Sequence, residues 1–454
     1  MLNEKFKERM KKLLGDEYTA FLCELEEKEN VKALRVNRLK IEVDRFLADT
    51  PFDLEPLGYT DVGFIINNHE GIGQTPEHHS GMIYMQDPGA MATVCSLEVK
   101  KGAWVLDTCS APGGKATQLA ELVGEDGLVF CNEYVPKRAK TIVTNIERLG
   151  IKNAVVTSLD TAEFKKMFKG VFDVVVVDAP CSGEGMFRKS EEALTGWSEE
   201  NVLASARRQK EILENVASLV KDGGYLLYST CTYAKEENED NALWFLKNHP
   251  NFTLEEVKGC VKSITANGIG DGQNDLEKAR RFYPHISRGE GQFIALFKKK
   301  EEGEKPTILY KDATRPLGKE ERTVVEKFFK EALVTPPDAK VVKYKDNIVL
   351  IRHGCPIPER NVFLSGVLLG EVKGANLFPS HQFFSAYGHL FRARENLKRG
   401  DERVLKYLRG EEIEATDKSQ RGFCSVAYED VSLGGGKISD GKIKNHYPKG
   451  LRNK

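Results

Sequence analysis

The sequence has no CxxC pair among its nine cysteines, no aliphatic run longer than Val174 to Val177, and no excess of either charge. The missing CxxC pairs and the odd, scattered cysteines disfavour a zinc ribbon and a disulfide framework. The short apolar runs fall far below the ~20 residues that span a bilayer. Met1 to Lys12 is charged without an apolar core, so no signal peptide is expected. With 67 Lys+Arg against 68 Asp+Glu, the net charge of −1 predicts no bulk attraction to nucleic acid or membrane. What is present is ordinary for a folded chain: 40% hydrophobic and 30% charged residues in 454, enough for roughly three domains. A reduced, cytoplasmic, multidomain protein is expected.

Charge is uneven along the chain. Residues 1–100 carry 12 basic and 18 acidic groups, whereas residues 301–454 carry 28 and 22. At the end, Lys437, Lys442, Lys444, Lys449, Arg452 and Lys454 face Asp440 alone, after what reads as a Gly434-Gly435-Gly436 turn. Such a tail either meets phosphate or frays as a solvated terminus. Phe6, Met10, Leu13 and Leu14, then Tyr18, Phe21, Leu22 and Leu25, predict two amphipathic helices in an α+β module over residues 1–80. Residues 81–300 alternate Val- and Leu-rich strands with helices, the pattern of a doubly wound, mostly parallel sheet. Ala204 to Val220 reads as one long helix, Phe293 to Phe297 as a late edge strand, and Lys298 to Lys305 as a linker. Residues 306–454 lack the alternation and read as two α+β or β-rich units, 306–385 and 386–454, with a hairpin around Lys345-Asp346-Asn347.

Three loops carry the chemistry, each after a predicted strand. The first is Asp107-Thr108-Cys109-Ser110-Ala111-Pro112-Gly113-Gly114-Lys115-Ala116, where the glycines let a ligand approach the backbone and the next helix offers free N–H groups. Glu133 and Asp160 end the next two strands, placed to meet the ribose and adenine of an adenosine cofactor. The second loop, Asp178-Ala179-Pro180-Cys181-Ser182-Gly183-Glu184-Gly185, is stiffened by Pro180. The third, Ser229-Thr230-Cys231-Thr232, precedes a helix expected near Lys235, whose N-terminus would lower a thiol pKa. A thiolate adding to C6 of cytosine turns C5 into an enamine-like carbon that accepts a methyl group. A nucleophilic Cys, a second Cys and an acid for the pyrimidine edge are the parts such a reaction needs.

With Arg35-Val36-Asn37, Gln86-Asp87-Pro88-Gly89-Ala90-Met91, Gly289-Glu290-Gly291-Gln292-Phe293 and the closing Asn445-His446-Tyr447-Pro448-Lys449-Gly450-Leu451-Arg452, the chain resembles the Nol/Nop/Sun group of RNA 5-methylcytosine methyltransferases, and within it the bacterial RsmF/YebU-like branch acting on 16S rRNA. The resemblance implies a Rossmann-like S-adenosylmethionine-dependent methyltransferase domain between an N-terminal α+β RNA-binding module and a C-terminal PUA-like region. It places Ser110, Ala111, Pro112, Gly113, Gly114, Lys115 and Ala116 around the methionine part of S-adenosylmethionine, Glu133 on the ribose, Asp160 near the adenine, and Arg138 as an additional contact. It makes Cys231 the nucleophile, Cys181 the aid to product release, and Asp178 a group near the methyl donor and cytosine edge. Lys115 and Lys189 are candidate substrate contacts. The implied partner is 16S rRNA in the 30S subunit, with tRNA the alternative; a monomer is the default, and neither metal nor membrane is expected.

Other readings stay open at this level. A nucleotide-dependent oxidoreductase with a Cys181/Cys231 redox pair would need a nicotinamide fingerprint, and a non-catalytic assembly factor would have no use for both cysteines. Cys23 and Cys95 are expected in the core, His78-His79 in a loop, and Trp104, Trp197 and Trp244 as packing residues. Tyr233 and Phe187 are candidates to stack on a flipped base.

Overall fold

The computed structural model describes residues 2–27, 31–68, 70–270, 272, 274–352 and 354–453; Lys454 of the basic tail lies outside them. The central sheet contains β1 (Trp104–Asp107), β2 (Leu128–Asn132), β3 (Ala154–Thr157), β4 (Phe172–Asp178), β5 (Val220–Thr230), β6 (Gln292–Lys299) and β7 (Val362–Ser365). Their spatial order is β6-β5-β4-β1-β2-β3-β7. The pairs among β1 to β5 are parallel, and β6 and β7 are antiparallel to their neighbours. The continuous Val and Leu runs fit strands covered on both faces: Val105, Leu106, Val129, Val155, Val175 and Leu227 are wholly buried. The order reverses between β1 and β4, so the loops leaving their C-terminal ends flank a crevice of the kind that binds ligands in such sheets.

Several sequence expectations change. The long helix spans Glu199–Val216, and Val220 already belongs to β5. The expected edge strand is interior, because β6 pairs with β5 on one side and with Phe252–Glu255 and Arg280–Phe282 beyond. The expected linker begins inside β6, where Lys299 is buried and bonded to Glu304 at 2.7 Å. The true edge strand on the other side, β7, comes from beyond residue 306. An edge pairing between segments some 200 residues apart leaves no local signal.

The N-terminal module contains a four-stranded sheet ordered Leu54–Pro56, Gly63–Ile66, Ala33–Val36, Ile83–Met85, so its last strand extends past residue 80. Its two helices, Glu4–Leu14 and Tyr18–Glu27, dock on the central domain rather than on that sheet. Phe6 meets Phe187 and Trp197 with ring centroids 5.0 and 5.8 Å apart, and Phe21 meets Tyr233 at 5.1 Å. Tyr233 and Phe187 are therefore buried packing residues, and the base-stacking expectation for them is corrected. Cys23 is exposed, not core.

The C-terminal third contains a four-stranded sheet with the expected hairpin (Lys340–Tyr344, Asn347–Ile351) and a five-stranded sheet over residues 393–445. Gly434 to Gly436 lie inside the strand Val431–Ser439, not in a turn. A Cβ at Gly435 would sit 2.2 Å from the Phe384 ring, so this glycine serves close packing. The tail is tied down: Tyr447 is buried and bonded to His79 at 2.7 Å, and His79 also meets Asn453 at 2.8 Å. His78 and His79 thus sit in a short helix, Pro76–His79, that ties the N-terminal module to the C-terminal tail.

Candidate functional site

The three loops converge at the C-terminal ends of β1, β4 and β5. Cys181 Sγ lies 3.1 Å from Cys231 Sγ, and both residues are half-buried. The contact with Cys231, followed by burial, pushes the Cys181 thiol well above the ordinary cysteine range. The expected helix near Lys235 begins only at Glu239, so no helix N-terminus abuts Cys231. Backbone and carboxylate contacts hold that loop instead. Gly185 N–H donates to the Cys231 carbonyl at 2.9 Å. Glu184, wholly inside, accepts from Thr232 Oγ1 at 2.9 Å and Tyr233 N–H at 3.0 Å through Oε2, and from Trp197 Nε1 at 2.8 Å through Oε1. Glu237 accepts from Ser182 N–H at 3.0 Å and Gln209 at 2.7 Å, and burial pushes its carboxyl to about 7.

Asp178, at the end of β4, is tied on both oxygens. Oδ2 receives Lys115 Nζ at 2.7 Å; Oδ1 receives Ser229 Oγ at 2.7 Å and Gln292 Nε2 at 3.4 Å. Lys115 is buried, and its link to Asp178 outweighs desolvation and raises its pKa. It joins the first loop to the second rather than standing on the surface. Lys189 similarly pairs with Asp87 at 2.6 Å. Asp87 also caps the helix Pro88–Cys95 by accepting from Gly89 N–H.

The first loop is a cradle. Ser110 N–H donates to the Asn132 carbonyl at 2.8 Å, Ala111 and Pro112 follow, Gly113 takes φ 113°, and Gly114 opens the helix that carries Lys115 and Ala116. A φ of that sign favours glycine. Arg138 Nη2 donates to the Ala111 carbonyl at 3.3 Å, and Arg138 Nη1 stands 3.3 Å from Glu133 Oε2. Glu133 is buried at the end of β2 and accepts from Val135 N–H at 2.9 Å. Asp160 is exposed and caps the next helix by accepting from Ala162 N–H at 2.8 Å. Asp107, Glu184 and Gln292 stand in the motifs read from sequence without a role assigned to them, and Glu237 stands in none. Asp107 ends β1 with Oδ2 buried and unpartnered among the described residues; burial and then the nearby Asp178 push it to about 7. An unpartnered acceptor, a glycine-lined loop and a buried carboxylate at the next strand end together fit an adenosine-bearing cofactor.

The motifs outside the loops brace this cradle. Arg35, 1% exposed, donates to Gln86 at 3.2 Å, Thr117 at 3.0 Å and Glu121 at 3.0 Å, tying the N-terminal sheet to the cradle helix. Asn37 Nδ2 donates to the carbonyls of Gly81 and Leu149.

The model of the family 16S rRNA methyltransferase RsmB/F matches residues 94–298. Those of the N-terminal domain of 16S rRNA methyltransferase RsmF and of the methyltransferase RsmF PUA domain match residues 2–88 and 394–453. Ribosomal RNA small subunit methyltransferase F of Vibrio vulnificus (strain YJ016) is 31% identical over 455 residues, covering 92% of this chain and 91% of that protein. Its counterpart in Psychromonas ingrahamii is 30% identical over 455 residues, with 92% and 90% covered. A methyltransferase homologue from Pyrococcus horikoshii superposes with a TM-score of 0.56 at 27% identity over 65% of this chain and 95% of that one. NSun6 from the same organism, crystallised with SFG, shares the fold with a TM-score of 0.56 at 22% identity over 65% and 98%. The chain belongs to the RsmF family of S-adenosylmethionine-dependent 16S rRNA methyltransferases.

Proposed function

We propose that this protein methylates C5 of a cytosine in 16S rRNA of the small ribosomal subunit, through a covalent adduct between Cys231 and C6 that Cys181 helps to resolve. The observation that carries the reading is the 3.1 Å approach of the two thiols, with Cys181 held protonated beside Cys231. The arrangement suits unequal roles: Cys181, its pKa raised, keeps its proton, and Cys231 Sγ is the group left to attack.

The first loop, with Glu133, Arg138 and Asp160, would hold S-adenosylmethionine, which when bound supplies the methyl group. Asp178 stands between that cradle and the cysteines, positioned by Lys115 and Ser229, and would meet the cytosine edge. Attack of the Cys231 thiolate on C6 would move the C5–C6 double-bond electrons to C5, readying that carbon for the methyl group, which S-adenosylmethionine would supply as its S–CH3 bond breaks and its thioether leaves. A base then removes the C5 proton, the electrons restore the C5–C6 bond, and the C6–S bond breaks. Cys181, 3.1 Å from Cys231, would hand a proton to the departing Cys231 sulfur and so release product.

The oxidoreductase reading has no support in the family, and a non-catalytic role would leave the thiol pair and the Lys115–Asp178 link without a task. The test is transfer of labelled methyl from S-adenosylmethionine to unmodified 30S subunits, with free 16S rRNA and tRNA in parallel. Label recovered as 5-methylcytosine in 16S rRNA, lost in Cys231→Ser, supports the reading. Label in tRNA alone overturns the substrate, and label on another base overturns the chemistry.

A further inference from the structure

The C-terminal third holds a cavity of about 350 Å3 at the seam between the helix Lys319–Ala332 and the sheet over residues 393–445. Its wall carries four exposed cations, Lys327, Arg392, Arg421 and Lys437, with Glu331 the one carboxylate among the lining residues. Half-buried Phe423 forms part of the same wall, with Lys437 Nζ 5.7 Å from its ring centroid. Ion pairing separates these cations from some of their neighbours. Around the same sheet Lys398, Arg409, Lys418 and Lys442 each stand within 4 Å of a carboxylate. Among the described residues no carboxylate comes that close to Lys327, Arg392, Arg421 or Lys437, and Arg421 spends Nη1 on the carbonyls of Lys418 and Gln420.

A cluster of like charges left unneutralised around a concave, aromatic-walled site costs self-repulsion unless an anion meets it. We propose that this cavity binds a nucleotide of single-stranded RNA, its phosphates on the four cations and its base against Phe423, anchoring the substrate away from the cysteines. The site size is within the range of small-ligand pockets, and cations interleaved with an aromatic ring are the means by which proteins hold unpaired nucleotides. The helical wall and Arg392 fall between residues 298 and 394, outside the stretches that the family models match. An acidic protein segment would satisfy the charges but would not use the ring. The inference rests on the RNA-modifying reading above and deepens it.

The test uses the full-length protein, a fluorescein-labelled oligouridine, and anisotropy at salt concentrations from about 50 to 200 mM. The variant Lys327→Ala/Arg392→Ala/Arg421→Ala/Lys437→Ala removes four exposed cations, and a urea titration checks its fold. A control, Lys398→Ala/Arg409→Ala/Lys418→Ala/Lys442→Ala, removes the same charge from ion-paired positions. The cavity variant should lower the slope of log K against log salt by about 1.4, at ~0.7 for each of the two phosphates that flank one nucleotide of a single strand, and weaken binding more than tenfold. Its KM for 30S subunits should rise with kcat little changed, and the control should move the slope far less. Equal slopes for the cavity variant and wild type, or for the two variants, overturn the inference. So does a raised KM for 30S subunits with unaltered oligouridine binding, which would assign the cavity to a ribosomal protein. If the wild type methylates no RNA, the functional reading itself falls, a result separate from any of these.

Discussion

Glu184 offers a sharp test of how the two cysteine loops are held together. Its carboxylate is 1% exposed and takes three donors, two of them from the loop that carries Cys231 and one from Trp197. Burial raises its pKa, and the three donors together with Arg9 oppose that rise. Glu184→Ala leaves three donors facing a void, each costing about 1–3 kcal/mol when unsatisfied, so a loss of about 4 kcal/mol in folding stability is expected. Glu184→Gln keeps the volume but turns an amide NH2 toward a donor. It should cost about 2 kcal/mol and shift Thr232 and Tyr233 relative to Cys181. A displacement on the order of 1 Å at reacting atoms costs about a hundredfold in rate. Methyl-transfer kinetics on 30S subunits, with urea midpoints measured in parallel, read both effects. The expected result for Glu184→Gln is a kcat lowered ~100-fold with the KM for RNA within about threefold. A destabilised Glu184→Gln with kcat within about twofold of wild type would refute the positioning role, because the loop would then hold its geometry without the carboxylate.

Further outcomes follow from the same contacts. Asp107 sits near 7 in the folded protein against an ordinary value near 4, so the native state holds a proton that the unfolded chain has lost. Its contribution is fully present below about pH 4 and is lost as pH rises toward 7, at about 1 kcal/mol per pH unit in between. Urea midpoints from pH 5 to 8 should therefore fall less steeply for Asp107→Asn than for wild type, and identical slopes would contradict the assignment. Arg35→Met removes one of the two arginines paired with buried Glu121 and leaves Gln86 and Thr117 without their partner. It should destabilise by about 3 kcal/mol in urea titration. Tyr447→Phe deletes the 2.7 Å bond to His79 and should cost about 1 kcal/mol, with methyl transfer unchanged at low temperature.

The three loops were legible in the sequence because each is local: a short apolar strand, a glycine- or proline-stiffened turn and a polar residue at the strand's end lie within ten residues. The partners of those residues were not legible. Lys115 meets Asp178 across 63 residues and Glu184 meets Thr232 across 48, separations at which no periodicity speaks. Amphipathic spacing correctly gave the N-terminal helices a buried face, but spacing does not say what covers it. Phe187 and Tyr233 could therefore be read as exposed stacking rings until Phe6 and Phe21 were seen packed on them. The glycines of residues 434–436 illustrate the same limit. A turn and a strand that must admit a Phe384 ring both demand glycine, and only the fold distinguishes them.

The central claim, that Cys231 attacks and Cys181 releases, is tested most directly by incubating Cys181→Ala with unmodified 30S subunits and S-adenosylmethionine and running the product on a denaturing gel. The account predicts a retarded protein–RNA band that survives denaturation and disappears when Cys231→Ala is added to the same chain. No such band, or a band formed by Cys231→Ala alone, would contradict it.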